Sequence, residues 1–247
     1  MIHLHKDLYI ADPWPAAYLK DIDAMIFADL HLGMEGVLSE EGIFLPRSFS
    51  KSTVDIIFRS ISSIKPSMVI LNGDIKHGFG LLNTSEWVVL RDFFRELSEM
   101  NLDILVIRGN HDNYLGVLLD KYGISFEKRW DHDIYTIMHG HESIPWDDLR
   151  EVIIIGHEHP SVTLRDEVGV KFKFKCFMWG EYKGHKILVL PSVGELATGS
   201  TISLYSEEDI LSPLLRNVDM SGFKPYAVVP GEIVQELPPL GELEKLL

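Results

Sequence analysis

Five short apolar runs in this chain end in the same kind of residue. Residues 24–28 lead into Asp29-Leu30-His31, 68–71 into Asn72-Gly73-Asp74, and 104–108 into Gly109-Asn110-His111-Asp112. Residues 134–138 lead into His139-Gly140-His141, and 152–155 into Gly156-His157-Glu158-His159. Apolar runs of four or five residues, rich in Val and Ile, have the length and composition of buried strands. Between the first two lies PRSFSKSTVDIIFRSISSIK, which puts Val54, Ile57, Phe58, Ile61 and Ile64 on one helical face. Residues 85–100 repeat the pattern with Trp87, Leu90, Phe93, Phe94 and Leu97. Alternating strands and helices predict right-handed crossovers and a largely parallel sheet. Ligands bind such a sheet beyond the carboxyl ends of its strands, where these Asp, Asn and His residues fall. One such ending is an ordinary capped turn; five that converge make a site.

After Gly156 the texture changes. VKFKFKCFMWG alternates, and KILVLPSV and TISLYS follow at hairpin spacing, predicting a second, antiparallel β layer. The final ELPPLGELEKLL reads as a surface tail or a short docked helix. A chain of 247 residues holds one large domain or a domain with small additions. Residues 1–247 are expected to form one domain, with a motif core at about 22–199 and final strands and a surface tail at 200–247.

A net charge of −14 gives little long-range attraction for a nucleic-acid backbone, so any such contact must come from a local basic patch or from bound metal. The single cysteine, Cys176, excludes an internal disulfide, fits a reducing compartment and reads as a plain buried thiol among Phe174, Phe177 and Met178. No apolar run reaches the roughly 18 residues of a membrane span. The N-terminus lacks an uninterrupted apolar leader, so a soluble, cytoplasmic protein is expected.

Asp, His and Asn without cysteine are oxygen and imidazole donors. They suit Mn, Fe, Zn, Co or Ni in five or six coordination better than a thiolate zinc site. On an extended segment an i, i+2 pair points to one side, so Asp29 with His31, and His157 with His159, each aim two groups into one cavity. That is too many ligands for one ion, and predicts two divalent ions sharing a carboxylate. Two such ions, less two aspartates and a bridging hydroxide, leave a charge of about +1, suited to an anionic phosphate ester.

In order along residues 29–159, the chain carries D-x-H, G-D, G-N-H-D, a lone His and G-H-x-H. This set resembles the calcineurin-like metallophosphoesterase superfamily and implies its four-layer α/β/β/α sandwich with mixed sheets. The resemblance implies that Asp29, His31, Asp74 and His159 hold one metal, manganese being the expected ion. It gives Asp74, Asn110, His139 and His157 the other, with Asp74 bridging. His111 would stabilise the pentacovalent charge and protonate the leaving alkoxide, with Asp112 orienting it. ADLHLGMEGVLSEEGIFLP, GDIKHGFG, RGNHDNY and GHEHP are similar to the ICC-like, archaeal SbcD-like branch, related to ligase-associated endonucleases (PdeM).

His77 completes a G-D-x-x-H pattern similar to that of the Rad50-partner nucleases, where the His assists beside the phosphate. Protein phosphatases of the superfamily carry G-D-x-x-D-R-G, and the arginine is missing here. His77 is therefore expected to act on the phosphate, against the plainer alternative of a turn cap. His3 and His5 read as surface residues, His141 as a loop hydrogen-bonder with a cavity-facing position as the alternative, and His132 and His185 as turn residues without a role. Asn113 and Tyr114 either line the pocket or pack. Lys171, Lys173 and Lys175 read as the solvated side of an edge strand rather than a nucleic-acid strip. The implied activity is a dinuclear-metal phosphodiesterase, with nucleic acid as a candidate substrate and partner and in-line attack by a metal-bridging hydroxide. A phosphomonoesterase or nucleotide pyrophosphatase is the alternative. A non-enzymatic scaffold conflicts with the intact residue set.

Overall fold

The computed structural model describes residues 1–46, 48–195, 200–201 and 210–243. Its first sheet has seven strands in chain order: β1 (Ile2–His5), β2 (Leu8–Ile10), β3 (Ala17–Leu19), β4 (Ala24–Phe27), β5 (Met68–Asn72), β6 (Asp103–Ile107) and β7 (Ser125–Glu127). The first four pair antiparallel and β4 to β7 pair parallel. Helices α1 (Met34–Glu40) and α2 (Ser48–Ile64) fill the β4–β5 crossover, α3 (Thr84–Ser98) the next, and α4 (Gly116–Asp120) the last. Helix α3 starts at a capping box, in which Asn83 accepts from the amide of Glu86 and Glu86 reaches back to the amide of Asn83. Such a cap contributes about 1 kcal/mol.

The second sheet contains β8 (Arg129–His132), β9 (Tyr135–Met138), β10 (Val152–Ile155), β11 (Pro160–Arg165), β12 (Lys171–Tyr182), β13 (His185–Val189), β14 (Ser200–Thr201), β15 (Lys224–Val229) and β16 (Ile233–Glu236). Its order is β14-β11-β12-β13-β10-β9-β8, with β15 on β12 and β16 on β15. Strands β9, β10 and β13 are mutually parallel neighbours, while β12 runs against β11, β13 and β15. The second layer therefore begins at β8 rather than after Gly156, and it is mixed rather than antiparallel. The 139–151 connection is long enough for a parallel crossover, and its regular structure is one 3-10 turn at Trp146–Asp148 instead of a helix. Apart from Thr201, the strand expected at TISLYS lies outside the described residues.

Period-2 alternation sorts the strands' side chains into three layers. Met25, Phe27, Val69, Leu71 and Val106 face Ile57, Ile61, Leu90, Phe93, Phe94 and Leu97 of α2 and α3. Ala24, Ile26, Ile70, Leu105 and Ile107 face the other way, onto Tyr135, Ile137, Val152, Ile154 and Leu188 between the sheets. Ile153, Ile155, Ile187 and Val189 line the outer side with Leu214, Leu215, Met220 and Phe223. Each fully buried Leu, Ile or Phe contributes about 1.5–3 kcal/mol. The fourth layer is thin: a turn-rich stretch at 210–223 and the single turn α5 (Leu240–Leu243), whose Leu240 and Leu243 are buried. As far as Leu243, the C-terminal stretch is thus the docked helix. Cys176 is fully buried and its thiol is pushed far up by desolvation, as a plain core thiol should be.

Register brings the strand ends level. Phe27 pairs with Leu71 and Leu71 with Val106; in the second sheet Ile155 pairs with Val189 and Ile154 with Ile137. Beyond β13 the chain crosses to the first sheet. Ser192 bridges to Ala28, its hydroxyl donates to the carbonyl of Asp29 at 2.9 Å, and the amide of Gly194 donates to the same carbonyl.

Candidate metal centre

The chain leaves β4, β5 and β10 through left-handed backbone. Asp29 (φ 55°), His31 (47°), Asp74 (51°), His157 (67°) and His159 (47°) all have positive φ without being glycine. The Asp29/His31 and His157/His159 pairs therefore do not sit on extended segments, as the i, i+2 spacing suggests; two left-handed residues turn each pair inward. A non-glycine residue there costs on the order of 1 kcal/mol, so the surroundings must enforce it. They do so by ladder-like bonds between the first two loops: Asp29 N–H to Gly73 O, His31 N–H to Asp74 O and Leu32 N–H to Ile75 O. Close approach explains two glycines. A Cβ on Gly73 would strike the ring of His139, and one on Gly109 would strike the Asp74 carboxylate.

Two donor clusters result. Asp29, His31, Asp74 and His159 place one ligand atom each within a single small volume; Asp74, His139 and His157 form a second. Asp74 belongs to both. Its Oδ2 lies 3.3 Å from Nε2 of His139 and 3.9 Å from Nε2 of His31. Its Oδ1 is occupied by the amide of His111 at 2.9 Å. Asn110 joins the second cluster, with its Oδ1 3.2 Å from Nε2 of His139. Nε2 of His159 stands 3.2 Å from Oδ1 of Asp29. The Asp29 carboxylate accepts the amide of His157 at 3.0 Å, so one aspartate fixes the start of the opposite loop.

A third group, His31, His77 and His111, adjoins the first. Nδ1 of His77 is 3.3 Å from Nδ1 of His31, and its ring stacks on His111 with centroids 5.5 Å apart. Nδ1 of His111 pairs with the main-chain carbonyl of His77, and its Nε2 is 3.8 Å from Oδ2 of Asp74. With Nδ1 as the donor to that carbonyl, Nε2 is the nitrogen aimed into the site.

Charge separates the ligands. Burial acts to raise the carboxyls of Asp29 and Asp74, but the neighbouring histidines win and hold both below the ordinary carboxylate range. Burial also works against charge on His139, but Asp74 and Asp29 raise it to about 9. His31 is pushed down to about 3 by burial and His159, and His157 to about 4 by burial and His139. These are oxygen and imidazole donors, the two aspartates anionic and the imidazoles of His31 and His157 neutral, with one carboxylate common to two clusters. The set fits a pair of divalent ions.

Other residues take different places from those expected. The Asp112 carboxylate meets backbone amides, while the ring of His111 meets the His77 carbonyl. The fully buried carboxylate of Asp112 accepts the amides of Ile75 (2.8 Å), Lys76 (3.3 Å) and Gly109 (2.8 Å), tying the Asp74 corner to the G-N-H-D turn. Burial, then Asp74, raises its carboxyl to about 6. The partner of His111 is the His77 carbonyl. Lys76 is fully buried and clasps the carbonyls of Gly78 and Gly80, so it braces a loop. Lys175 is not solvated like a plain edge lysine; its Nζ binds the carbonyls of Ser192 and Gly194 behind Asp29. His5 is an outer residue paired with Glu151 at 2.9 Å, and His132 pairs with Asp21 at 2.7 Å. Nδ1 of His141 is buried without a hydrogen-bond partner among the described residues, its ring 5.2 Å from that of His139. Glu158 escaped the sequence reading: buried between two candidate ligands, it accepts the amides of Leu211 and Ser212 and anchors the fourth layer. Its place in G-H-E-H was the available signal.

The sequence profile of the family described as calcineurin-like phosphoesterase matches residues 23–221, most of the chain. The chain is a calcineurin-like phosphoesterase. Among solved structures, the phosphoesterase resembles the Pseudomonas putida nuclease MPE with a TM-score of 0.67 at 21% identity, over 96% of this chain and 98% of that one. That likeness is one of fold. The E. coli phosphoesterase YfcE aligns at 14% identity and a TM-score of 0.41, over 87% and 98%, which is too low to bear on the argument. No curated protein matches this phosphoesterase in sequence. No helix among the described residues is long and apolar enough to cross a membrane. As a member of its family it is a phosphoric ester hydrolase with candidate metal ligands in place.

Proposed function

We propose that this phosphoesterase is a dinuclear-metal phosphodiesterase acting on nucleic acid. Asp29, His31, Asp74 and His159 hold one ion, and Asp74, Asn110, His139 and His157 the other. The observation that carries this is the double membership of Asp74: one oxygen faces both clusters while the other is held by the His111 amide. Bound there, two divalent ions supply Lewis acidity to the phosphoryl oxygens and a water activated near neutral pH.

The chain's own groups do the rest. His111 presents Nε2 to the site, its ring fixed by the His77 carbonyl; as the imidazolium, protonated on both nitrogens, it delivers the Nε2 proton to the leaving oxygen. His77 lies on the same side and contacts the phosphate. Burial and His111 hold the His77 ring below its ordinary range, so at neutral pH it is an uncharged donor. A neutral imidazole there suits the single charge of a diester better than the double charge of a monoester. The fold shared with the nuclease MPE agrees with nucleic acid as substrate.

The test is turnover by Mn²⁺-supplemented protein of bis-p-nitrophenyl phosphate, p-nitrophenyl phosphate and single-stranded DNA. Diester and DNA cleavage are expected. Turnover of the monoester alone overturns the diesterase assignment. Inactivity with Mn, Fe, Zn, Co and Ni, together with stoichiometric capture of a protein partner, would make the fold a scaffold.

A further inference from the structure

Phe79 is a large apolar side chain that the site chemistry leaves unused. It is 62% exposed, yet its ring centroid lies 3.8 Å from that of His111, tilted by 30°. The backbone beneath it is braced from several directions. Nζ of Lys76 takes the carbonyls of Gly78 and Gly80, the amide of Gly78 donates to Glu86 at 2.8 Å, and Nδ2 of Asn113 donates to the Phe79 carbonyl at 3.4 Å. Burying an ammonium and a carboxylate to immobilise a loop is costly. Here the outlay holds an exposed aromatic face beside the proposed general acid.

We infer that Phe79 is a stacking platform for the nucleobase of the leaving nucleoside. The inference rests on the role given to His111 above. The leaving oxygen must come within hydrogen-bond reach of Nε2 of His111, so the group it carries extends past that ring, beside which the exposed ring of Phe79 lies. Every base has a π-face, so such a platform tolerates any sequence, but it requires an unstacked base and thus single-stranded substrate. It also answers the charge problem: a chain of net charge −14 attracts a polyanion weakly, and stacking supplies affinity without cations.

The experiment uses Mn²⁺-loaded protein and three dinucleotides with one scissile bond each: d(TpT), and the same compound lacking the base on its leaving or its retained side. Chromatography of the products identifies the leaving side. Phe79→Leu keeps apolar contact with His111 but has no π-face. It should raise KM for d(TpT) about ten-fold and leave the compound without a leaving-side base unchanged, with Phe79→Trp close to wild type. Equal effects of Phe79→Leu on both compounds, or a wild type that does not distinguish them, overturn the inference. Should the wild type cleave no dinucleotide, the diesterase assignment is still judged on bis-p-nitrophenyl phosphate and single-stranded DNA. Stacking is then decided by calorimetry: tighter binding of thymidine monophosphate than of deoxyribose phosphate, abolished by Phe79→Leu, supports it, and equal binding refutes it.

Discussion

The amide of His111 donates a 2.9 Å hydrogen bond to Oδ1 of Asp74, which leaves Oδ2 as the oxygen facing both ligand clusters. Asp74→Asn keeps the size and an acceptor for that amide but removes the shared negative charge. Metal content after dialysis against Mn²⁺ should fall from two ions per chain to one or none, with kcat falling at least about 100-fold. Elemental analysis of the purified variant checks this. Two retained ions would show that Asp74 does not bridge.

His111 is fixed on one nitrogen by the carbonyl of His77, and its other nitrogen lies 3.8 Å from Oδ2 of Asp74. Its loss should leave the metal sites filled and remove proton delivery. His111→Ala is therefore expected to keep wild-type metal content while kcat on a diester with a poor leaving group falls at least about 100-fold. A leaving group that needs no proton, such as p-nitrophenolate, should suffer much less. Equal losses on both would assign His111 to charge stabilisation instead.

Asp112 satisfies three buried amides from two loops. Removing it strands those donors, and a single stranded donor costs about 1–3 kcal/mol. Asp112→Ala should lower unfolding free energy by at least about 2 kcal/mol in urea titration, before any effect on kcat is considered. Asp112→Asn turns one acceptor into a donor facing an amide, and should also destabilise. An Asp112→Ala variant as stable as wild type but slow would restore Asp112 to the chemistry.

How much of this was legible in the sequence follows from which signals are local. A buried strand that ends abruptly in Asp, Asn or His is visible in one dimension, so Asp29, Asp74, Asn110, His139 and His157 could be picked out before any fold was known. The period of α2 and α3 was equally plain. The division between sheets was not, because Ile70 in the first sheet and Ile154 in the second are flanked by apolar residues in the same way. Left-handed turns at Asp29 and His157 carry no glycine to announce them. The pairing of Asp112 with His111 is implied only by the G-N-H-D resemblance, whereas two of the amides that Asp112 accepts lie 36 and 37 residues away, beyond the reach of any motif. Lys175 read as solvated because alternation cannot foresee that the chain after β13 returns to present it with two carbonyls.

His139 sits 3.3 Å from Asp74 and 3.7 Å from Asp29, and these carboxylates overcome its burial to raise it to about 9. In metal-free protein at neutral pH it is therefore an imidazolium, while a metal ligand must be neutral. Metal binding at pH 7 should expel the His139 proton, whereas His31 and His157, at about 3 and 4, are already neutral. Mn²⁺ affinity should then fall about ten-fold per unit as pH drops below about 9. The same shift acts on the metal-free fold. Its folded value lies above the ordinary 6.5, so protonated His139 stabilises the fold fully below 6.5 and loses that contribution as pH rises through about 9. Calorimetry of Mn²⁺ binding in buffers of different ionisation enthalpy measures the released protons, and His139→Gln should lower the number by about one. Binding at pH 7 without proton release would mean that His139 is not protonated in the metal-free site.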